Sequence, residues 1–325
     1  RQDHRNISIV AATPGDPRTA YAGDGVYRTI DGGTTWSERN DGLAGVEPAA
    51  LAVTPSLPDV LYTNTSGRGL FKSNNGGQSW RSLDYYSGGP PRKHLLAVDP
   101  DDASRLYMGG QGNEACALKI SEDGGDSWRE VTFTLPISLA GQPCMVMSVA
   151  VHPSVEGRLL SGVSLDVGVG HGAAWPSFFY VSENDGEDWA FAGPAEPISG
   201  VHQFAFDAGD SGIAYAATLG TGLWKTADGG QSWSRISTFP GVTNVTSVAA
   251  HPAVPNTVYA LAENQAGSGI YVSTNSGGDW NFVTDQSGIQ VMFAPPGPGA
   301  ESYALYTRCG ALVRGVCRSD DGGAT

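Results

Sequence analysis

The sequence predicts an all-β fold, a seven-bladed β-propeller of four-stranded antiparallel blades, on three observations. An octet of the form Ser/Thr, any, Asp/Asn, any, Gly, any, Ser/Thr/Asp, Trp occurs at Thr29–Trp36, Ser73–Trp80, Ser121–Trp128, Ser182–Trp189, Thr226–Trp233 and Ser273–Trp280. A seventh copy, Ser319–Thr325, stops where its tryptophan would stand. The copies begin at 29, 73, 121, 182, 226, 273 and 319, and a period of about 45 residues is the length of one propeller blade. Helical periodicity is sustained nowhere, while short apolar runs flank every octet.

Taken in order, each repeat reads as four strands. In the first, Ile7–Ala12 is apolar but for Ser8, as a strand buried on both faces should largely be, and Thr13–Pro17 is a turn. Thr19–Gly23 is the second strand, Val26–Thr29 the third and Thr35–Glu38 the fourth. Later inner strands are read at Ala50–Val53, Leu95–Val98, Met147–Val151, Phe204–Phe206, Thr246–Ala250 and Val291–Phe293, most of them followed by a proline turn. The whole of 1–325 is expected to be one propeller, with blades near 1–42, 43–86, 87–134, 135–194, 195–239, 240–286 and 287–325. The last of these is expected to lack its outer strand.

The octet itself reads as the hairpin between third and fourth strands, because Asp-Gly-Gly between two apolar runs is a hairpin signal. Glycine supplies a positive φ. The side chains of Asp31, Asn75, Asp123, Asn184, Asp228, Asn275 and Asp321 can accept bonds from backbone N–H groups just downstream, so these seven residues are assigned to turn stabilisation. Asn replaces Asp in three copies, which argues against acid–base work. The six intact tryptophans are expected to be equivalently buried, each with one N–H to satisfy.

The formal net charge is −14, with 45 glycines and 16% charged residues. An acidic chain is a poor partner for nucleic acid or anionic membrane, and no apolar run is long enough for a transmembrane helix. The chain begins at Arg1 without a signal-like segment, as a mature secreted protein or a trimmed chain would. Its four cysteines allow three pairings. Position favours Cys116 with Cys144 and Cys309 with Cys317, hence an oxidising compartment, extracellular or periplasmic.

The octets resemble the Asp-box, or BNR repeat, found in sialidases, the sortilin ectodomain, xyloglucan-active glycosidases and photosystem assembly factors. The resemblance runs from Thr29 to Thr325 and implies a propeller rather than any one activity. The sialidase pattern of six blades and an Arg-Ile-Pro opening is missing. The xyloglucan-type glycosidases place a catalytic Asp after the second strand of the first blade. Here Tyr21-Ala22-Gly23-Asp24-Gly25-Val26-Tyr27-Arg28 offers Asp24 at that place, with a shorter loop.

In a propeller the boxes occupy one face and the longer loops surround the channel mouth on the other, where function usually resides. The mouth residues expected to contact a ligand are Tyr85, Tyr86, Arg92, Asp166, His171, Trp175 and His202. Flat aromatic rings suit anchoring, and the acidic balance favours a neutral or cationic ligand. No cofactor or metal site is expected, since two histidines heading inner strands, His94 and His202, fall short of the three convergent ligands a metal needs. His152 and His251, each before a proline, read as turn residues. The functional expectation is a secreted module binding a glycan, a peptide or a partner protein. The alternative is a glycoside hydrolase, half of a tandem propeller, with Asp24 as a catalytic carboxylate.

Overall fold

The computed structural model describes residues 9–13, 16–23, 25–43, 48–65, 68–83, 95–110, 117–136, 139–165, 176–241, 243–264, 267–285, 291–294, 304–309 and 315–319. Blade 1 consists of β1 (Ile9–Thr13), β2 (Asp16–Gly23), β3 (Val26–Thr29) and β4 (Ser37–Glu38). Blade 2 has β5 (Pro48–Val53), β6 (Leu61–Thr65), β7 (Gly69–Ser73) and β8 (Arg81–Ser82). Blade 3 has β9 (Leu96–Val98), β10 (Leu106–Gly110), β11 (Ala117–Ser121) and β12 (Arg129–Thr132). Blade 4 has β13 (Cys144–Val151), β14 (Leu159–Leu165), β15 (Pro176–Ser182) and β16 (Ala190–Ser199). Blade 5 has β17 (Val201–Phe206), β18 (Ala214–Thr218), β19 (Gly222–Thr226) and β20 (Ser234–Arg235). Blade 6 has β21 (Asn244–Ala250), β22 (Val258–Asn264), β23 (Gly267–Ser273) and β24 (Asn281–Thr284). The remaining strands are β25 (Val291–Ala294), β26 (Ala304–Cys309) and β27 (Gly315–Ser319).

Each sheet is antiparallel in sequence order, and the innermost strands touch in turn, β1 to β5, β9, β13, β17, β21 and β25, with β25 returning to β1. The expected count of seven blades is corrected. Six sheets are complete four-stranded blades, and β25–β27 form a three-stranded sheet that closes the ring. A fourth strand is delivered by the box hairpin, and of the last box only Ser319 lies among the described residues.

The second strands explain why these segments pair. β6, β14 and β18 are buried along their whole length, as a strand covered on both faces by neighbouring sheets must be. The core is divided among blade interfaces. Trp80 packs with Ala11, Tyr21 and Val26 of blade 1, and Trp233 packs with Leu160, Phe179 and Val181 of blade 4. The box tryptophans are not equivalently buried. Trp80 and Trp233 are 6% and 9% exposed, whereas Trp36, Trp128, Trp189 and Trp280 are half-buried.

Neighbouring blades are also joined by cations, at two alternative positions. In blades 1, 2 and 5 the cation is the last residue before the box. Arg28, Lys72 and Lys225 sit opposite Tyr21, Tyr62 and Tyr215 in the β2–β3, β6–β7 and β18–β19 ladders, at 5.7, 5.1 and 6.0 Å from the ring centroids. Each reaches the next box: Lys225 Nζ donates to the Ser276 carbonyl at 3.0 Å, and a Cβ built on Gly76 would lie 2.9 Å from the Arg28 guanidinium. In blades 3 and 4 that position is Ile120 or Val181, and the cation precedes the second strand instead. Arg105 meets Asp185 at 2.7 Å, and Arg158 donates to the Ser211 carbonyl at 3.0 Å.

Candidate functional site

The strand order fixes two faces. The turn between first and second strands and the box hairpin share one face, so the second-to-third and fourth-to-first connections share the other, around the channel mouth.

On the box face the polar side chains are spent internally. In the first box, Thr29 Oγ1 donates to Asp31 Oδ1 (2.8 Å) and accepts from the Gly33 amide (2.8 Å). The Thr35 amide and hydroxyl donate to the two oxygens of Asp31 at 2.8 and 2.5 Å. Trp36 Nε1 donates to the Gly33 carbonyl at 3.1 Å. The third box repeats this with Asp123, Ser121 and Ser127, and the fifth with Asp228, Thr226 and Ser232. Trp80 differs, since its indole N–H reaches the Arg39 carbonyl of blade 1 at 2.9 Å. The fifth box residue must be glycine: Gly125 has φ 93°, and a Cβ there would meet Leu83 at 2.6 Å.

The hydroxyl and then the amide of Thr35 hold the Asp31 carboxyl down at about 2, and those of Ser127 hold Asp123 at about 2. At Asp228 burial opposes the shift, but the Ser232 hydroxyl and amide with the Thr226 hydroxyl outweigh it, and the carboxyl is lowered. Groups held this way stay ionised and cannot serve as general acids near neutral pH. In the second box Asn75 Nδ2 donates to the Ser79 hydroxyl at 2.9 Å, and in the other two asparagine boxes the seventh residue explains the amide. Asn184 Nδ2 donates to Asp188 and Asn275 Nδ2 donates to Asp279, each at 3.0 Å, where a second carboxylate would repel.

In blades 3 to 6 the residue just after the inner strand caps the adjoining turn. Asp99 Oδ1 accepts from the Asp101 and Asp102 amides, and Asp207 Oδ1 from those of Gly209 and Asp210. His152 Nδ1 accepts from Ser154 and Val155, and His251 Nδ1 from Ala253 and Val254. Burial lowers both histidines below their ordinary range, and a neutral Nδ1 is what accepting two N–H bonds requires.

On the mouth face, His202 is the predicted contact that falls among the described residues. It is the second residue of β17, half-buried, with Nε2 withdrawn from solvent. Asp24, Tyr85, Tyr86, Arg92, Asp166, His171 and Trp175 lie outside the described residues, as does Asp321. Cys144 is disulfide-bonded and no described cysteine is a free thiol; the expected pairing with Cys116 lies outside the described residues. Cys309 and Cys317 lie on paired strands, opposite Gly315 and Thr307 respectively. No group of three His, Cys, Asp or Glu could hold a metal ion among the described residues, and no helix among them is long and apolar enough to cross a membrane.

The sequence reading missed a row of β-bulges. The register shifts between Pro48 and Ala50, Val146 and Ser148, Val201 and Gln203, and Val245 and Ser247. Four inner strands therefore each carry one inserted residue near the mouth end: Ala49, Met147, His202 and Thr246. A bulge leaves a residue outside the ladder and re-aims its side chain. The signal was present as Val-x-Ser/Gln-apolar at Val146–Val149, Val201–Phe204 and Val245–Val248, but strict alternation conceals an inserted residue.

The fold and its box hairpins define a β-propeller of the Asp-box type. The family model described as "Sortilin, neurotensin receptor 3" (Sortilin-Vps10) matches residues 24–135 and 177–304, more than half of the chain, and the chain belongs to that family. It is 28% identical over 303 residues to a xyloglucanase of a Paenibacillus species, covering 90% of this chain and 22% of that protein. It is 26% identical over 215 residues to an oligoxyloglucan-reducing end-specific xyloglucanase of Emericella nidulans, covering 59% and 24%. The chain thus spans about a quarter of the length of these relatives. Among solved structures, the GH74 xyloglucanase of Xanthomonas campestris superposes with a TM-score of 0.72 at 21% identity, over 98% of this chain and 52% of that one. YCF48 from Cyanidioschyzon merolae superposes at 0.65 and 17% identity, over 98% and 96%.

Proposed function

We propose that this chain is a secreted glycan-recognising propeller, one part of a xyloglucan-acting assembly, that holds its ligand at the channel mouth. The observation that carries the reading is the similarity to a xyloglucanase along 90% of the chain, which takes up only 22% of that relative. The box face supports the same choice of site by elimination, because its carboxylates and hydroxyls are already bonded to one another. The proposed contacts are Tyr85, Tyr86, Arg92, Asp166, His171, Trp175 and His202. A neutral polysaccharide suits a chain of net charge −14, whose field repels polyanions. An oxidising compartment fits the disulfide at Cys144, for which Cys116 is the proposed partner, with Cys309–Cys317 as the second bond.

Calorimetric titration with xyloglucan oligosaccharides tests the reading. Binding is expected to weaken more than tenfold in Trp175→Ala and Tyr86→Ala, with little change in melting temperature. An unchanged affinity in both variants, or no binding by the wild-type chain, defeats it. Asp24→Asn separates holding from hydrolysis: turnover measured by reducing-end release is abolished if Asp24 is a catalytic carboxylate, and affinity is retained if the propeller only binds.

A further inference from the structure

Five of the six box tryptophans have an acceptor for the indole N–H. Trp36, Trp128, Trp189 and Trp233 donate to the carbonyl of the fifth residue of their own box, at 3.1, 3.1, 3.0 and 3.2 Å, and Trp80 donates to the Arg39 carbonyl. Trp280 is the exception: its Nε1 is buried and has no hydrogen-bond partner. The rest of the sixth box is built like the others, with the Gly277 amide on Ser273 Oγ and the Asp279 amide on Asn275 Oδ1, each at 2.8 Å. What differs is the use of the acceptor. The Gly277 carbonyl receives the Thr238 hydroxyl of blade 5, at 2.7 Å. Thr238 belongs to a short segment laid against blade 6. Ile236 faces Gly277, where an added Cβ would lie 2.9 Å from its Cδ1. The buried Phe239 stands edge-on to Trp280, with centroids 4.8 Å apart at 88°. Phe133, by contrast, leans on Trp189 at 41°, and Trp189 keeps its bond to Gly186. Further along the same connection, the Thr243 carbonyl accepts the Gly220 amide at 2.8 Å and the Gly222 amide at 2.7 Å. Both glycines belong to the β18–β19 hairpin on the mouth face, so one connection ties the sixth box to the mouth.

Two donors thus contend for one carbonyl, and they are unequal. Thr238 is exposed, so its hydroxyl exchanges Gly277 for water at little cost. The Trp280 N–H is cut off from water, and a buried donor left without an acceptor is costly. The arrangement therefore carries a penalty that release of Thr238 removes, since Trp280 then takes the carbonyl as its four counterparts do. Burial of Phe239 opposes the release. We infer that Ile236–Phe239 is a latch with two states. Closed, Thr238 holds the Gly277 carbonyl and Thr243 anchors the β18–β19 hairpin. Open, Trp280 holds that carbonyl, and the hairpin loses Thr243 while keeping the bond from the Leu219 amide to the Gly200 carbonyl. A change at the sixth box is read in this way at the mouth of blade 5, through one element whose equilibrium both ends bias. The latch stands on these bonds and not on the identity of the ligand.

Hydrogen exchange followed by NMR on the full chain tests the latch in Thr238→Val, Thr238→Ser and Trp280→Phe. The Trp280 indole signal is assigned by its loss in Trp280→Phe. Thr238→Val keeps the shape of the side chain and removes the donor. The Trp280 indole signal is then expected to shift and to exchange about tenfold more slowly, and the Gly220 and Gly222 amides about tenfold faster, with Leu219 unchanged. Thr238→Ser, which keeps a hydroxyl, is expected to match wild type. Trp280→Phe removes the competing donor, and Gly220 and Gly222 are expected to exchange more slowly than in wild type. An unchanged Trp280 indole in Thr238→Val overturns the inference, and so does unchanged exchange at Gly220 and Gly222. Equal acceleration at Leu219 overturns it too, since the whole hairpin has then loosened. If Trp280→Phe does not fold, Thr238→Val against Thr238→Ser decides.

Discussion

The hydroxyl of Thr35 facing Asp31 and the amide of Asn275 facing Asp279 show how one turn is built from two charge patterns. Where the seventh box residue is Ser or Thr, the third can be a carboxylate that accepts from it; where the seventh is Asp, the third is Asn and donates. Asn275→Asp is therefore expected to set two carboxylates at about 3 Å and to destabilise by about 1 kcal/mol at neutral pH. The loss should shrink as pH falls toward 4 and one of the pair protonates, which a series of thermal melts would show. The Asp boxes carry the opposite dependence. Their carboxyls are lowered in the fold, to about 2 for Asp31 and Asp123, so the unfolded chain binds protons first as pH falls. Their contribution is fully present above the ordinary carboxylate range, declines below about pH 4 and is gone below about 2. Melting temperature is expected to hold from pH 7 to 5 and to drop between 4 and 2, and Asp228→Asn should flatten that limb. A melting temperature already falling between pH 6 and 5 would contradict this.

Between blades, the same slot beside the next box is filled by a cation from either of two strands. Val60 and Ile213 stand where blades 3 and 4 have Arg105 and Arg158, and Ile120 and Val181 stand where blades 2 and 5 have Lys72 and Lys225. Arg158 shows the chemistry at its fullest. Its Nε donates to both oxygens of Glu183, at 3.0 and 3.1 Å, and a terminal nitrogen donates to the Ser211 carbonyl of blade 5. Exposed ion pairs contribute little, but a charged donor to an inter-blade carbonyl contributes more. Arg158→Met is expected to cost about 1–2 kcal/mol, whereas Arg81→Met, which removes only the exposed pair with Asp126, should cost under about 0.5 kcal/mol. Denaturant titration of both variants checks the ranking. Equal losses would mean that the inter-blade carbonyl bond adds nothing.

At the level of the whole molecule, the core is a set of interface clusters with a box tryptophan at five of them. Trp233 stacks on Phe179 of the preceding blade with centroids 4.5 Å apart, and its indole N–H is satisfied by the Gly230 carbonyl at 3.2 Å. Trp233→Ala is expected to cost about 3–5 kcal/mol and to loosen the blade 4–5 interface. Hydrogen exchange should then speed up along β14 and β19 more than along β2. Uniform acceleration around the ring would show instead that the interfaces open together.

The blades were legible in the sequence because the box is local. The hydrogen bonds of its Ser/Thr and Asp/Asn side chains to the rest of the octet span four residues or fewer, so the turn folds the same way wherever the octet occurs, and Asp31, Asn75, Asp123, Asn184, Asp228 and Asn275 could be assigned as turn residues from spacing alone. His152 and His251 were legible for the same reason, since each caps amides two and three residues on. Inter-blade relations were not. Nothing in residues 26–36 says that Arg28 serves the box of the next blade, and nothing near Val201 says that its carbonyl meets Ser148, because those partners lie roughly a blade away in sequence. Repeat counting also overstated the ring, giving seven blades where six complete four-stranded sheets and a three-stranded one are found. The sequence alone determined the strand order and the turns, through contacts of short range. The tertiary structure decided which strands bulge and which cation fills each interface, through contacts that exist only once the ring has closed.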